Sequence, residues 1–352
     1  MAATTNPLHG THSSADPSAS VQTFTIAGLL VDVHGLSELP PSVSSVACLW
    51  LLHPRLQKKE TMAPIAAQVV STWNARIKEG RAGKNPKGLI AVSFDQRNHG
   101  SRLVDKLHNE AWRQGNPRHA QDMFSCYNGT TKDTSQLIDH IESYIFTSPS
   151  GPKITQNFVL GVSLGGHASW QCVLSDPRIT AAVVGIGCPD YTRLMTNRAR
   201  LSKLETYTSS SPPGATFLGS ADFPKALQDA IAQYDPTGLL LPGQFHPTSP
   251  DPELSKDKLD RMKLLLRERL NGKQILNLSG RDDKLVPYAA GEPFLKIFKQ
   301  ALQEEPSLDI GFEDVLFDGV GHAFPKAMSS KATDWICELL AKRDDAGVSS
   351  KM

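Results

Sequence analysis

Three short stretches carry residue types that could act together on an acyl group. They are Gly161-Val162-Ser163-Leu164-Gly165, Gly280-Arg281-Asp282-Asp283-Lys284-Leu285-Val286-Pro287 and Gly319-Val320-Gly321-His322-Ala323-Phe324. A serine hydroxyl is a poor nucleophile until a histidine takes its proton, and a carboxylate must hold that imidazole in the correct tautomer. Ser163 sits in G-x-S-x-G, between an apolar run and a helix-compatible segment. A serine lifted onto so sharp a turn needs neighbours without a β-carbon, and Gly161, Gly165 and Gly166 meet that need. The helix that follows would begin at Leu164. Its unpaired backbone N–H would face the space beside the hydroxyl, where an oxyanion could be stabilised. A plain turn serine in a glycine-rich stretch fits the same pattern. The chemical reading therefore rests on the aspartates and His322, each of which follows a strand-like run, in the chain order Ser, Asp, His.

With Phe94-Asp95-Gln96-Arg97-Asn98-His99-Gly100-Ser101, a D-x-R-x-H-G-x-S loop, these stretches resemble the α/β-hydrolase superfamily over roughly residues 44 to 342. The resemblance implies Ser163 as nucleophile, His322 as base and an aspartate as orienter. Asp283 fits the family's G-x-x-D-x-x-V-P counted from Gly280. Asp282, its neighbour, and Asp190, at the end of an earlier strand where some members carry the acid, stand as alternatives. In the family, the loop after the first buried strand usually reads His-Gly and supplies a second oxyanion donor. Here it reads His53-Pro54-Arg55. Proline has no N–H, so the donor passes to Arg55 or a neighbour. His53 is expected to hold this loop, and Asp95, Arg97 and His99 crowd one loop whose usual task is scaffolding.

The elements that must position these residues are legible as periodicity. Residues 46–52 form a continuous apolar run of the kind buried on both faces of a parallel sheet. Strand-like runs recur at 24–33, 89–94, 181–188, 273–279 and 312–317, alternating with helical spacing at 63–78, 289–302 and 324–340. A helical pattern at 119–146 is interrupted at Asn128-Gly129. The expected class is α/β, a doubly wound, mostly parallel sheet of the α/β-hydrolase kind with an inserted cap. Residues 1–20 are expected to be a disordered tail, 21–189 and 272–342 the core, 190–271 the cap, and 343–352 a polar tail. Met195, Phe217, Phe223, Leu239, Leu240 and Phe245 would either line an apolar pocket or form the cap's own core.

Composition narrows the remaining classes. The chain has 352 residues, and a formal charge of +1 with scattered Lys and Arg argues against a nucleic-acid partner. Five widely spaced cysteines without a C-x-x-C pair read as buried free thiols in a reducing compartment. No signal-peptide core and no membrane-spanning run is present, so a soluble, unsecreted protein is expected. Sequons at Asn128 and Asn277 are discounted. Ser350-Lys351-Met352 resembles a peroxisomal address, which would make an import receptor a partner; otherwise the protein would be cytoplasmic. With no Walker loop and no H-E-x-x-H, hydrolysis without cofactor or metal is the economical reading, and a carboxylic ester of a small molecule the expected substrate. An acyl-CoA thioester would be favoured if the address is real. A non-catalytic hydrolase-fold binding protein would be indicated by a missing triad residue, yet all three types are present.

Overall fold

The computed structural model describes residues 6–13, 16–242 and 254–346. Eight strands form one sheet: β1 (Val21–Ile26), β2 (Leu29–His34), β3 (Ser45–Leu52), β4 (Gly88–Phe94), β5 (Lys153–Val162), β6 (Ile179–Gly185), β7 (Gln274–Gly280) and β8 (Gly311–Phe317). Their order is β1-β2-β4-β3-β5-β6-β7-β8. β2 runs antiparallel to both β1 and β4, and every pair from β4 to β8 is parallel.

The apolar run of β3 explains why both faces are covered. Cys48, Trp50 and Leu52 point into one core, and Ala47, Leu49 and Leu51 into the other. α1 (Ala63–Lys78), through Ile65, Val69 and Trp73, and α10 (Lys326–Ala346), through Met328, Ile336 and Leu340, close the second core. α2 (His119–Ile145), α3 (Leu164–Ser175) and α9 (Tyr288–Glu304) close the first, where Trp170 meets Phe294 and Phe298 edge-on. Each strand alternates across the sheet, so an unbroken apolar run feeds two layers at once.

Between β6 and β7 the described residues form helices only: α4 (Tyr191–Ser202), α5 (Glu205–Thr208), α6 (Lys225–Tyr234), α7 (Pro236–Leu240) and α8 (Lys256–Leu270). Met195, Phe217, Phe223 and Leu240 are buried in the larger core and line no pocket with Ser163, Leu239 is half-buried, and Phe245 lies outside the described residues. Ser350-Lys351-Met352 also lie outside them.

Two expectations are corrected. The break at Asn128-Gly129 does not occur, and α2 is continuous. Asn128 Nδ2 donates to Gln171 Oε1 at 2.9 Å, and a β-carbon at position 129 would meet Arg97 Cδ at 2.4 Å. This glycine admits the Arg97 side chain against the helix, and that tertiary packing overrides its low helix propensity. The second correction concerns the N-terminal tail, of which residues 6–13 are seated on the fold. Leu8 is buried, Phe324 N donates to Pro7 O at 2.8 Å, and Thr11 Oγ1 donates to Phe324 O at 2.5 Å. A polar composition does not prevent ordering where a neighbouring loop offers unpaired backbone groups.

Candidate active site

β5 delivers Ser163 onto a turn with φ 57° and ψ −110°, a conformation costly for a residue with a β-carbon. Packing holds it there. Ser163 N donates to Gly185 O of β6 at 2.8 Å, and His167 N donates back to Ser163 O at 3.1 Å. A β-carbon at Gly165 would lie 2.0 Å from Leu52 O, so β3 and α3 abut with no room for a methyl group. This is the steric need that the glycine spacing expresses.

The three sequence-selected residues meet in one hydrogen-bonded chain. Ser163 Oγ lies 2.9 Å from His322 Nε2, and His322 Nδ1 lies 2.8 Å from Asp283 Oδ2. The other oxygen of the buried Asp283 carboxylate accepts from Leu285 N at 2.8 Å and Val286 N at 2.9 Å. Its acceptors are thereby fixed, and the imidazole donates from Nδ1 while Nε2 faces the hydroxyl. Asp282 is exposed and joins the turn only through its backbone, to Val320 O. Asp190 caps α4 by accepting from Arg193 N at 2.9 Å, and burial pushes its carboxyl up to about 6. Neither meets His322.

Among the described residues, no acceptor meets the backbone N–H of Leu164 or of Arg55. Pro54, which precedes Arg55, offers only its carbonyl, which accepts from Gln57 N and from His53 Nδ1 at 2.8 Å. His53 is a fastener of this loop. Gln96 N donates to its Nε2 at 2.9 Å, so the ring proton sits on Nδ1, and burial pushes the pKa down to about 4. The 94–101 loop likewise bonds to its own surroundings. Asp95 accepts from Lys59 N, Ser101 N and Ser101 Oγ at 2.8 Å each, and Arg97 and Arg102 both pair with Asp133. The cysteines are all free and buried, and burial pushes Cys126 and Cys172 up to about 12, which leaves both thiols unreactive.

Ser163 and His322 open into a pocket whose other walls were not legible in the sequence. Pro7, Trp112, His119, Arg198 and Leu285 line it together with Arg55. Arg198, on α4, donates from Nη2 to Leu285 O at 3.1 Å and from Nη1 to His119 Nε2 at 3.2 Å. Burial, and then the charge of Arg55, lower the Arg198 pKa to about 10; His119 is pushed well below its ordinary value by burial first and then by Arg198. No local spacing announces these residues. They meet only because α4 folds over the loop that carries Asp283. Among the described residues, no group of three His, Cys, Asp or Glu could hold a metal ion, and no helix is long and apolar enough to cross a membrane.

No protein-family model and no curated protein matches the sequence. Solved structures do. A Thermus thermophilus protein shares 17% identity over 92% of this chain and 98% of its own, with a TM-score of 0.54. A Bacteroides ovatus protein, designated a candidate dipeptidyl aminopeptidase IV, shares 14% identity over 93% of this chain, with a TM-score of 0.50. This chain spans only 36% of the latter's length. At these identities the likeness is one of fold. Strand order and structural neighbours together show the α/β-hydrolase fold.

Proposed function

We propose that the protein is a serine hydrolase that cleaves a carboxylic ester through an acyl-enzyme on Ser163. The observation that carries this reading is the pair of hydrogen bonds from Ser163 Oγ to His322 Nε2 and from His322 Nδ1 to Asp283 Oδ2, at 2.9 and 2.8 Å. As Oγ attacks the carbonyl carbon, its proton passes to Nε2, and the imidazolium is stabilised by the Asp283 carboxylate, which stays ionised. The carbonyl π electrons move onto oxygen. That oxyanion is received by the Leu164 and Arg55 backbone N–H groups, whose lack of any other acceptor suits them to the task. Collapse expels the alkoxide, which leaves as the alcohol with the proton from Nε2. Water then repeats the sequence on the acyl-enzyme and restores Ser163.

Intact mass after exposure to a fluorophosphonate tests the mechanism. One adduct is expected on the wild type and none on Ser163→Ala or His322→Ala. A folded wild type that takes no adduct would instead favour a binding protein that keeps the fold without turnover. Ester and thioester cleavage use the same three groups, so kcat/KM for a short ester against an acyl-CoA of equal chain length decides between them.

A further inference from the structure

We propose that the substrate of Ser163 carries an anionic oxygen group, a carboxylate or a phosphate, that docks on the guanidinium of Arg198 with Arg55 beside it. This rests on the serine-hydrolase reading and names the class of molecule the same pocket would take.

The first observation is what Arg198 lacks. Its Nη groups meet Leu285 O, His119 Nε2 and, at 3.1 Å, the sulfur of Met123, while its Nε is buried with no acceptor. Among the described residues, no carboxylate lies within ion-pair distance of Arg198 or Arg55. Other covered cations show two arrangements: Lys59 pairs with Asp32 at 2.5 Å and Arg102 with Asp133 at 2.8 Å, while Lys273 is surrounded by the carbonyls of Val173 and Asp176, both within 2.8 Å. Arg198 is half-buried with its Nε fully covered, and such a guanidinium without a counter-charge carries a cost that is offset when a ligand supplies the missing oxygens. The nearest acids do not supply them. Glu110 acts on Arg55 and Asp283 on Arg198 through space only, and both Asp283 oxygens are already engaged.

The second observation is the sign of the pocket. Arg113 and Lys284 add positive charge to its wall, and among the described residues no aspartate or glutamate lines it. A cleft lined by one sign of charge concentrates ligands of the other, and the planar fork of a guanidinium suits carboxylate and phosphate oxygens. Ser163 and His322 line the same pocket, so the charged group belongs to the scissile molecule itself, on its acyl or its alcohol side.

Calorimetric titration of Ser163→Ala protein with glutarate, inorganic phosphate and neutral glutaramide tests the site without any turnover. A null result here therefore bears on the anion site alone, while the fluorophosphonate adduct bears on the nucleophile alone. At least one anion is expected to bind tenfold or more tighter than glutaramide, and whichever of glutarate and phosphate binds tighter identifies the group. Adding Arg198→Gln should weaken that binding at least thirtyfold, with Arg198→Lys recovering part of it; should Arg198→Gln fail to fold, Arg55→Gln serves in its place. The proposal is overturned if neither anion binds better than glutaramide, or if binding survives the loss of the guanidinium. In active protein, the ratio of kcat/KM for 4-(butyryloxy)benzoate over phenyl butyrate is expected to exceed ten and to fall toward one in Arg198→Gln.

Discussion

Asp282 and Asp283 share a dipeptide and almost nothing else. One side chain points to solvent; the other is buried against His322 and two backbone N–H groups. Asp283→Asn would leave the geometry but reverse the hydrogen-bond polarity that sets the tautomer, and kcat is expected to fall by roughly a thousandfold or more. Asp282→Asn should stay within about threefold of wild type, because only its backbone enters the turn. Steady-state ester kinetics on the two variants check both, and equal losses would reassign the acid. The three residues of the hydrogen-bonded chain were legible because each follows a strand at a spacing that steric and protonic needs dictate. Arg198 and His119 were not, since their meaning arises from two distant elements crossing, and a lone arginine on a polar helix reads as surface.

The turn between β5 and α3 exists because β3 runs close beneath it. Gly165→Ala would drive a methyl group to 2.0 Å from Leu52 O, a backbone atom that cannot yield. Loss of soluble protein, or a drop in unfolding free energy of about 3 kcal/mol or more in a denaturant melt, is the expected outcome. An alanine variant of unchanged stability would mean the strand and helix stand farther apart than described. The same crowding shows why the sheet could be read from the sequence while α2 could not be read whole. Apolar runs declare a strand buried on both sides, whereas the tolerance of Asn128-Gly129 inside a helix depends on Gln171 and Arg97, which lie far away in the chain. The cap's aromatic residues posed the same difficulty: their type fits a pocket and a core equally, and only packing assigns Phe217 and Phe223 to the core.

At the scale of the whole molecule, burial sets how stability answers to acid. The His53 ring is held at about 4 and His167 at about 3, in both cases chiefly by burial, against an ordinary 6.5. Below pH 6.5 the unfolded chain therefore binds protons that the folded chain refuses. Stability from these two rings is complete above pH 6.5 and is lost as pH falls toward 4 and 3, by on the order of 3 kcal/mol for His53 and about 5 kcal/mol for His167 in the limit. Asp190, held at about 6, works in the opposite sense between about pH 4 and 6, since there the folded state binds the extra proton. With the lowered rings of His53, His119 and His167 set against the raised carboxyls of Asp190 and Asp235, melting temperature should fall as pH drops from 7 to 4.5, and less steeply in His53→Gln. A flat profile in the wild type would show that the rings are not held neutral.

The segment at residues 6–13 is the part of the molecule that composition described least well. Removing residues 1–16 would strip Pro7 from the pocket wall and both partners from Phe324, two positions beyond His322. Ester kcat/KM is expected to fall several-fold while far-UV circular dichroism holds, and unchanged kinetics would reduce the segment to decoration. The bond from Thr11 to Phe324 joins residues 313 positions apart. At ribosomal speeds of about 5–20 residues per second, roughly a quarter of a minute to a minute passes between the birth of these two partners. During that interval Ser163 lacks the imidazole it meets in the folded protein, so the hydrogen-bonded chain from Ser163 to Asp283 closes only after residue 322 has been made.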